Sequence, residues 1–226
     1  MVNMTKILKI AWPVCLGYIT LGVPCGVLAQ KAGMTFAQTV GLCLVLYAGS
    51  GQFIGIGMMM QSASALSIGL TVFMVNLRHF LFSTTLQNYL KGKSIPFLSF
   101  YAYEITDESF AVNLTAFEGS EWTPEDAMKV NIICHFAWAL SNAMGYIGGE
   151  FVPIDVHLVS YTLTAMFIGL WSFYLSERIM LLAGLFSGML SAVFSLFVGY
   201  KMHVVLAAVL ASALFAFYTY NRVKRA

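Results

Sequence analysis

Charge is scarce in this chain. Only 10% of its residues are Asp, Glu, Lys or Arg, while 59% are hydrophobic and 15% aromatic; a soluble domain carries about 25% charged residues. So few charges cannot clothe a surface that faces water, and the bilayer is the expected solvent. A net charge of +2 offers no footprint for nucleic acid. The one basic run, NRVKRA at 221–226, reads as a cytoplasmic flank. Paired cysteines are missing too: Cys15, Cys25, Cys43 and Cys134 form no CxxC, so neither a metal site nor a disulfide framework is indicated, and small buried residues are expected. There is no GxSxG elbow, no HExxH and no P-loop, which argues against an enzyme and against ATP-driven action within this chain. His79, His135, His157 and His203 are dispersed and suggest no metal site. No cofactor is expected. No soluble domain, long linker or internal repeat interrupts the apolar texture, so residues 1–226 read as one transmembrane domain.

What is present is a series of apolar runs of about 20 residues, each long enough to cross a bilayer as a helix. They fall at 8–30, 36–60, 64–87, 95–117, 128–148, 157–175, 178–198 and 202–220. The expected fold is therefore all-α and polytopic, with seven or eight spans, some of them broken or re-entrant. The first run is too long for the h-region of a signal peptide and contains Trp12 and Pro13, so it reads as a span. Thr123 is an expected N-cap with Pro124 in the first turn after it. Eight spans put the N-terminus inside. If 95–117 fails to cross, the N-terminus moves outside and the basic residues divide eight inside to three outside, which the positive-inside rule mildly prefers. Both counts place the C-terminus in the cytoplasm. Trp12, Trp122, Trp171, Tyr174, Tyr218 and Tyr220 lie near span ends and are expected in interfacial belts.

Several runs are not simple apolar rods. Gly49, Ser50 and Gly51 cluster in the middle of 36–60, with Gly55 and Gly57 after them. Such a cluster marks either small-xxx-small packing or a break in the helix, and the second is tolerated only beside protein or a wet cavity. Gly17, Gly22, Pro24 and Gly26 would kink or thin the first span. Ionisable groups also stand where they are expensive, at about 2.5–3.5 kcal/mol each near a span centre. Arg78 and His79 sit in MVNLRHFLFS (74–83), and Glu104, Asp107 and Glu108 would share one helical face if 95–117 were a continuous helix. One arginine balances one carboxylate, which leaves two acids for an aqueous path or for proton exchange. On 128–148, Asn131, His135, Trp138 and Asn142 follow spacings of four, three and four, a polar stripe suited to interhelical hydrogen bonds or to lining a path.

YAGSGQF (47–53), NLRHFLFS (76–83) and TDESFAV (106–112), with LGYITLGVPCGVLAQKAGMT before them, resemble in type and order the motifs of the AzlC-type branched-chain amino acid permeases. The resemblance runs from about residue 10 to the C-terminus, though the later spans match only in hydrophobic character. Tyr161 stands where that family often has an acid. The resemblance implies a multi-pass exporter of branched-chain amino acids in the bacterial cell membrane, acting as the large subunit beside a small AzlD-type membrane protein, with a homo-oligomer also open. Charge placement nominates Ser50, Gly51, Gln52, Asn76, Arg78 and His79 for substrate. It nominates Glu104, Asp107 and Glu108 for the ammonium or a coupling proton, Asn131, His135 and Asn142 for the path, and Gly55, Gly57 and Met58–Met60 for an apolar wall. A transporter or channel for another small solute, and a non-transporting membrane subunit or intramembrane enzyme, are the competing classes.

Overall fold

The computed structural model describes residues 3–119, 122–151, 178–197 and 202–225, with Tyr161, Thr164, Ala165, Ile168 and Ser172. Among the described residues there are nine helices and no strand: α1 (Met4–Lys31), α2 (Phe36–Val45), α3 (Gly49–Met60), α4 (Ala65–Leu86), α5 (Ile95–Tyr103), α6 (Asp107–Glu118), α7 (Pro124–Phe151), α8 (Arg178–Phe194) and α9 (Met202–Arg225). The expected span 157–175 lies largely outside the described residues. At 1.5 Å per residue, α1 and α4 reach about 42 and 33 Å, enough to cross a hydrocarbon layer of about 30 Å. Both are apolar enough to do so. α2, α3, α5 and α6 are each about half that length.

The spine of the molecule is α1 against α7, and glycine decides how they meet. A Cβ on Gly26 would overlap the backbone of Asn142 and Tyr146, and one on Gly145 would overlap the backbone of Val23. Gly22 faces Ser141 and Asn142, and Gly149 faces Val27 and Gln30. Gly22-xxx-Gly26 and Gly145-xxx-Gly149 therefore form two small-residue grooves that press together backbone to backbone. Residue numbers rise together on both sides of this contact, up to Lys31 Nζ donating to the Gly149 carbonyl at 3.1 Å, so the two helices are parallel. They serve as a ruler for everything else.

Measured on that ruler, α2 and α3 run in opposite directions. Tyr146 Oη donates to the Met34 carbonyl (2.9 Å) and His135 Nε2 meets the Cys43 carbonyl (3.1 Å), so α2 descends α7 as its own numbers rise. After the tip at Leu46–Tyr47–Ala48 the order reverses. Tyr47 stacks on His135, Gly49 abuts Trp138, and Gln52 reaches Trp138 and Cys25. The stretch 36–60, expected to cross as one span, is thus a helical hairpin. The reason is local: Ala48 takes an extended conformation (φ −153°, ψ 95°), and Gly49–Ser50–Gly51 present no bulk where the second arm turns back. Gln52 fastens the reversal. Its amide donates to the Leu42 and Leu46 carbonyls (3.2 and 2.7 Å), adding a second bond to acceptors at the end of α2 that already take the Leu46 and Ala48 amides, and its oxygen accepts from Trp138 Nε1 (2.9 Å).

The same construction recurs, inverted, in 95–118. Lys93 pairs with Glu125 and Glu104 meets His135, so α5 climbs α7. α6 then descends it, since Asn113 bonds Asn131 (2.7 Å), and runs alongside α4 through Arg78–Asp107, Phe82–Phe110 and Tyr89–Phe117. α4 itself lies antiparallel to α3, with Gly55 against Val72 and Gly51 against Asn76. Each hairpin is introduced by a glycine at positive φ, Gly33 (79°) and Gly92 (82°), two residues before a Thr35 or Ser94 N-cap, and each has a three-residue tip and a twelve-residue second arm. Because 95–117 breaks at Glu104–Ile105–Thr106, Glu104 does not share a face with Asp107 and Glu108.

The distribution of polarity is inside out. Gln52, Asn113, Asp126, Asn131, Ser141 and Asn142 are buried, whereas Trp12, Phe73, Phe80, Phe136 and Leu140 are exposed on the outer face. Water would penalise that arrangement and lipid would not. Trp122 departs from the expected belt: it is buried and donates to Asn113 Oδ1 (3.2 Å). Trp12, Tyr218 and Tyr220 are exposed, as a belt requires. Trp171 and Tyr174 lie outside the described residues. Thr123 caps α7, accepting from the Asp126 amide at 3.2 Å. All four cysteines are free, three of them buried. α8 and α9 pack on each other and touch the rest through α9 and α4.

Candidate functional site at the meeting of two hairpin tips

The tips of the two hairpins face each other across a cavity of about 20 Å³. Tyr47, Ala48, Gly49, Ser50 and Phe53 enter it from the first hairpin and Thr106, Asp107 and Glu108 from the second, with Tyr18, Leu21, His79 and Trp138 closing the sides. A water needs about 10–15 Å³ measured this way and ligand pockets run to about 300–1,000 Å³, so the cavity has room for little more than one water.

Arg78 of α4 joins both tips. Its Nη2 lies 2.8 Å from Asp107 Oδ2 and donates to Ser50 Oγ. The other two carboxylates have partners of their own. Glu108 accepts from Tyr18 Oη at 3.1 Å, while the Tyr18 hydroxyl also bonds Thr106 Oγ1. Glu104, almost fully buried, meets His135 Nδ1 at 3.0 and 3.1 Å. His79 lines the cavity, and its buried Nε2 has no hydrogen-bond partner among the described residues.

The two second arms differ where they begin. α6 is satisfied from within: Thr106 and Ser109 form a reciprocal capping box, and Asp107 and Glu108 place two carboxylates in its first turn. α3 has neither, since Ala48 supplies no side-chain cap and no acid stands in the first turn. The first amides of α3 thus end on the cavity as an uncompensated positive pole, while the other pole is covered by acids.

The remaining nominated residues stand outside the cavity wall. Gly51 gives room for Asn76, whose amide lies 3.0 Å from where a Cβ would be. Gln52 is used up by its own hairpin and by Trp138 of α7. Asn131, His135 and Asn142 lie on one face of α7 and serve its contacts: Asn131 accepts from Asn113, His135 joins Glu104 and Cys43, and Asn142 donates to the Trp138 carbonyl (2.9 Å) beside Gly22 and Gly26. Met58–Met60 end α3 away from the cavity, whose apolar wall is Leu21, Phe53 and Trp138. Tyr18 and Tyr47 escaped sequence reasoning because an isolated tyrosine in an apolar run carries no signal. Thr106 had one, a Ser/Thr three residues before a serine at a helix start.

An all-helical, inside-out bundle whose polar groups converge on one central cavity is the build of a multi-pass membrane protein. The model of the AzlC protein family matches residues 13–152, and the chain belongs to that family. An uncharacterized membrane protein of Helicobacter pylori (strain ATCC 700392 / 26695) is 26% identical over 173 residues, 74% of this chain and 75% of that one. The branched-chain amino acid transport protein AzlC of Bacillus subtilis (strain 168) is 24% identical over 162 residues, 69% of this chain and 61% of that one. The inner membrane protein YgaZ of Escherichia coli (strain K12) is 23% identical, covering 63% and 59%. No solved structure matches. All three motifs and both hairpins fall within the matched residues.

Proposed function

We propose that this chain is a secondary transporter that exports branched-chain amino acids across the bacterial cytoplasmic membrane in exchange for protons, as the large subunit beside a small membrane partner. The observation that carries the reading is Arg78 tying the tips of two opposed hairpins at one buried cavity. An amino acid is a zwitterion with an apolar side chain, and this site offers a counterpart for each part. The carboxylate takes Arg78 and the uncapped start of α3, the ammonium takes Asp107 or Glu108, and the side chain rests on Leu21, Phe53 and Trp138. Binding then exchanges partners within an existing ion pair and leaves no charge unbalanced. The substrate class and direction follow the named Bacillus relative and the motif resemblance; the partner rests on the resemblance alone.

The hairpins enter from opposite ends of the bundle, which suits alternating access. Each can withdraw from the cavity toward its own side while the other stays closed. In this reading α1, α4, α7, α8 and α9 cross the bilayer and both hairpins are re-entrant; with the crossing expected from the sequence over 157–175 the count is six. Lys6, Lys9, Lys91, Lys93, Lys129, Arg178, Arg222, Lys224 and Arg225 then share the side of both termini, against Lys31 and Lys201 opposite. That asymmetry is sharper than either straight-span count allows and makes the shared side cytoplasmic.

The test is efflux of labelled leucine, isoleucine and valine from vesicles containing the chain, with other small solutes as competitors. Arg78→Ala leaves Asp107 facing the cavity without its counter-ion; for this half-buried pair a loss of about 1–3 kcal/mol is expected, and export should fall by about fivefold to a hundredfold. Unchanged export in both Arg78→Ala and Asp107→Asn would refute the site.

A further inference from the structure

We infer that the coupling proton is held by a second site, the Glu104–His135 pair, and not by the acids that line the cavity. The inference rests on the transport reading above and assigns its proton. Both nitrogens of the His135 ring face acceptors. Nδ1 lies 3.0 and 3.1 Å from the two Glu104 oxygens, and Nε2 lies 3.1 Å from the Cys43 carbonyl. A carbonyl cannot donate, so Nε2 carries a hydrogen. A second proton must then lie between Nδ1 and the carboxylate, whether as imidazolium with carboxylate or as neutral ring with carboxylic acid. Remove it, and the Nδ1 lone pair faces a carboxylate at hydrogen-bond distance, so the contact opens. The site thus takes up one H⁺ and gives it back, with no bond changed except an N–H or O–H.

Its position makes that proton consequential. Glu104 is the C-cap of α5 at the tip of the second hairpin, Cys43 lies in the last turn of α2 in the first, and His135 belongs to the α1–α7 spine. The releasable proton therefore holds the second hairpin to the spine, while the hydrogen on Nε2 holds the first. The titratable groups that face the ring are Glu104 and Tyr103 from α5, Cys43 from α2 and Tyr47 from the first tip. Glu108 of α6 is the next carboxylate, engaged by Tyr18. Tyr103 repeats the same latch by donating to the Leu44 carbonyl. Tyr47 carries the state of the pair to the substrate. Its ring stacks on His135 with centroids 4.0 Å apart and planes 4° from parallel, and it lines the central cavity, which neither Glu104 nor His135 does.

The experiment uses the full chain in proteoliposomes and two assays on each protein. Leucine counterflow needs no net proton movement. Accumulation driven by a pH gradient does: with the interior acid by one unit, exchange of one proton per substrate supports up to about tenfold leucine accumulation. Wild type should do both. Glu104→Gln and His135→Gln should keep counterflow but show no accumulation and no proton flux reported by an entrapped pH dye. Wild-type accumulation in both variants overturns the inference. So does loss of counterflow together with accumulation, because the pair would then hold the fold or the substrate. A readout independent of substrate is the acid-minus-base infrared difference spectrum of the purified protein: the pair's carboxyl and imidazole bands should vanish in either variant, and their persistence refutes the site. If wild type fails to move leucine while these bands behave as expected, the substrate reading fails and the proton site stands.

Discussion

Gly145→Ala tests the ruler on which the hairpin topology depends. A Cβ at this position would meet the Val23 carbonyl head on, with Val23 C and Cα each 2.7 Å away, whereas ordinary contact begins near 3.4 Å. All three obstacles are backbone, so no side chain can rotate aside, and α1 and α7 must part locally by close to an ångström. Overpacking of a fitted interface costs about 1–3 kcal/mol, and a rigid opponent puts this case toward the upper end. The ratio of folded to unfolded protein at a given denaturant dose should therefore drop by roughly fivefold to a hundredfold. Gly148→Ala is the internal control. It lies less than one turn further along the same helix with nothing within 4 Å of its missing Cβ, and should stabilise by up to about 1 kcal/mol through helix propensity. Unfolding of both variants in a graded series of denaturing detergent, followed by circular dichroism, measures the difference. If Gly145→Ala were as stable as Gly148→Ala, the two helices would not meet backbone to backbone. The reversal of α2 and α3 read from their register would then lose its support.

Two further outcomes follow. In a chain whose native cysteines are replaced, cysteines introduced by Lys31→Cys and Gln61→Cys should both react with an impermeant thiol reagent from outside the cell and one introduced by Lys91→Cys only from the cytoplasm; a straight crossing over 36–60 would put Lys31 and Gln61 on opposite sides. At the exposed start of α7, the hydrogen bond from Lys93 holds the Glu125 carboxyl below its usual range. A depressed carboxylate contributes stability that is present above its unfolded value, near 4.5, and lost as pH falls through the folded one. Being exposed, the pair is worth about 0.2–1 kcal/mol at most, so Lys93→Met should shift thermal unfolding slightly at pH 7 and not at all in strong salt.

Hydropathy made the helical, membrane-bound character legible, and the cost of burying charge singled out Arg78 and the three acids before any coordinates. The cluster Gly49–Ser50–Gly51 marked the place of a break but not its angle. A kinked helix and a hairpin use the same small residues, and both have arms of about half a bilayer. What separates them is long-range: Gln52 binding Leu42 rather than solvent, and Tyr47 meeting His135 across 88 positions of sequence. The recurrence of the hairpin was concealed for a related reason. Its shared features are a left-handed glycine, a hydroxyl residue at the N-cap position two residues later and a three-residue tip, while the first arms differ by one residue and the side chains hardly correspond. The polar stripe on α7 was visible as a stripe. That one of its members holds a carboxylate and a helix end at once could not be seen until α2 and α5 were placed beside it.

The closed cavity bears on how such a site could turn over. Arg78 now spends its donors on Ser50 of one tip and Asp107 of the other, so a substrate carboxylate that draws the arginine away loosens the only side-chain ion pair between α4 and the second hairpin among the described residues. The ammonium, meeting Asp107 in exchange, restores the charge balance but not the link between the tips. Substrate thus weakens the closure at the cavity, while the Glu104–His135 proton keeps the second hairpin fastened to the spine behind Tyr47. That hairpin is free to withdraw only when both holds are released. If the two latches act in series, Arg78→Lys should retain charge but lose the reach that brings Nη2 to both Ser50 and Asp107. Counterflow in that variant would then persist at reduced substrate affinity, while the pH gradient would no longer be held without substrate and would decay faster than in wild type. A pH gradient as stable as in wild type would mean that the tips are kept closed by something other than Arg78.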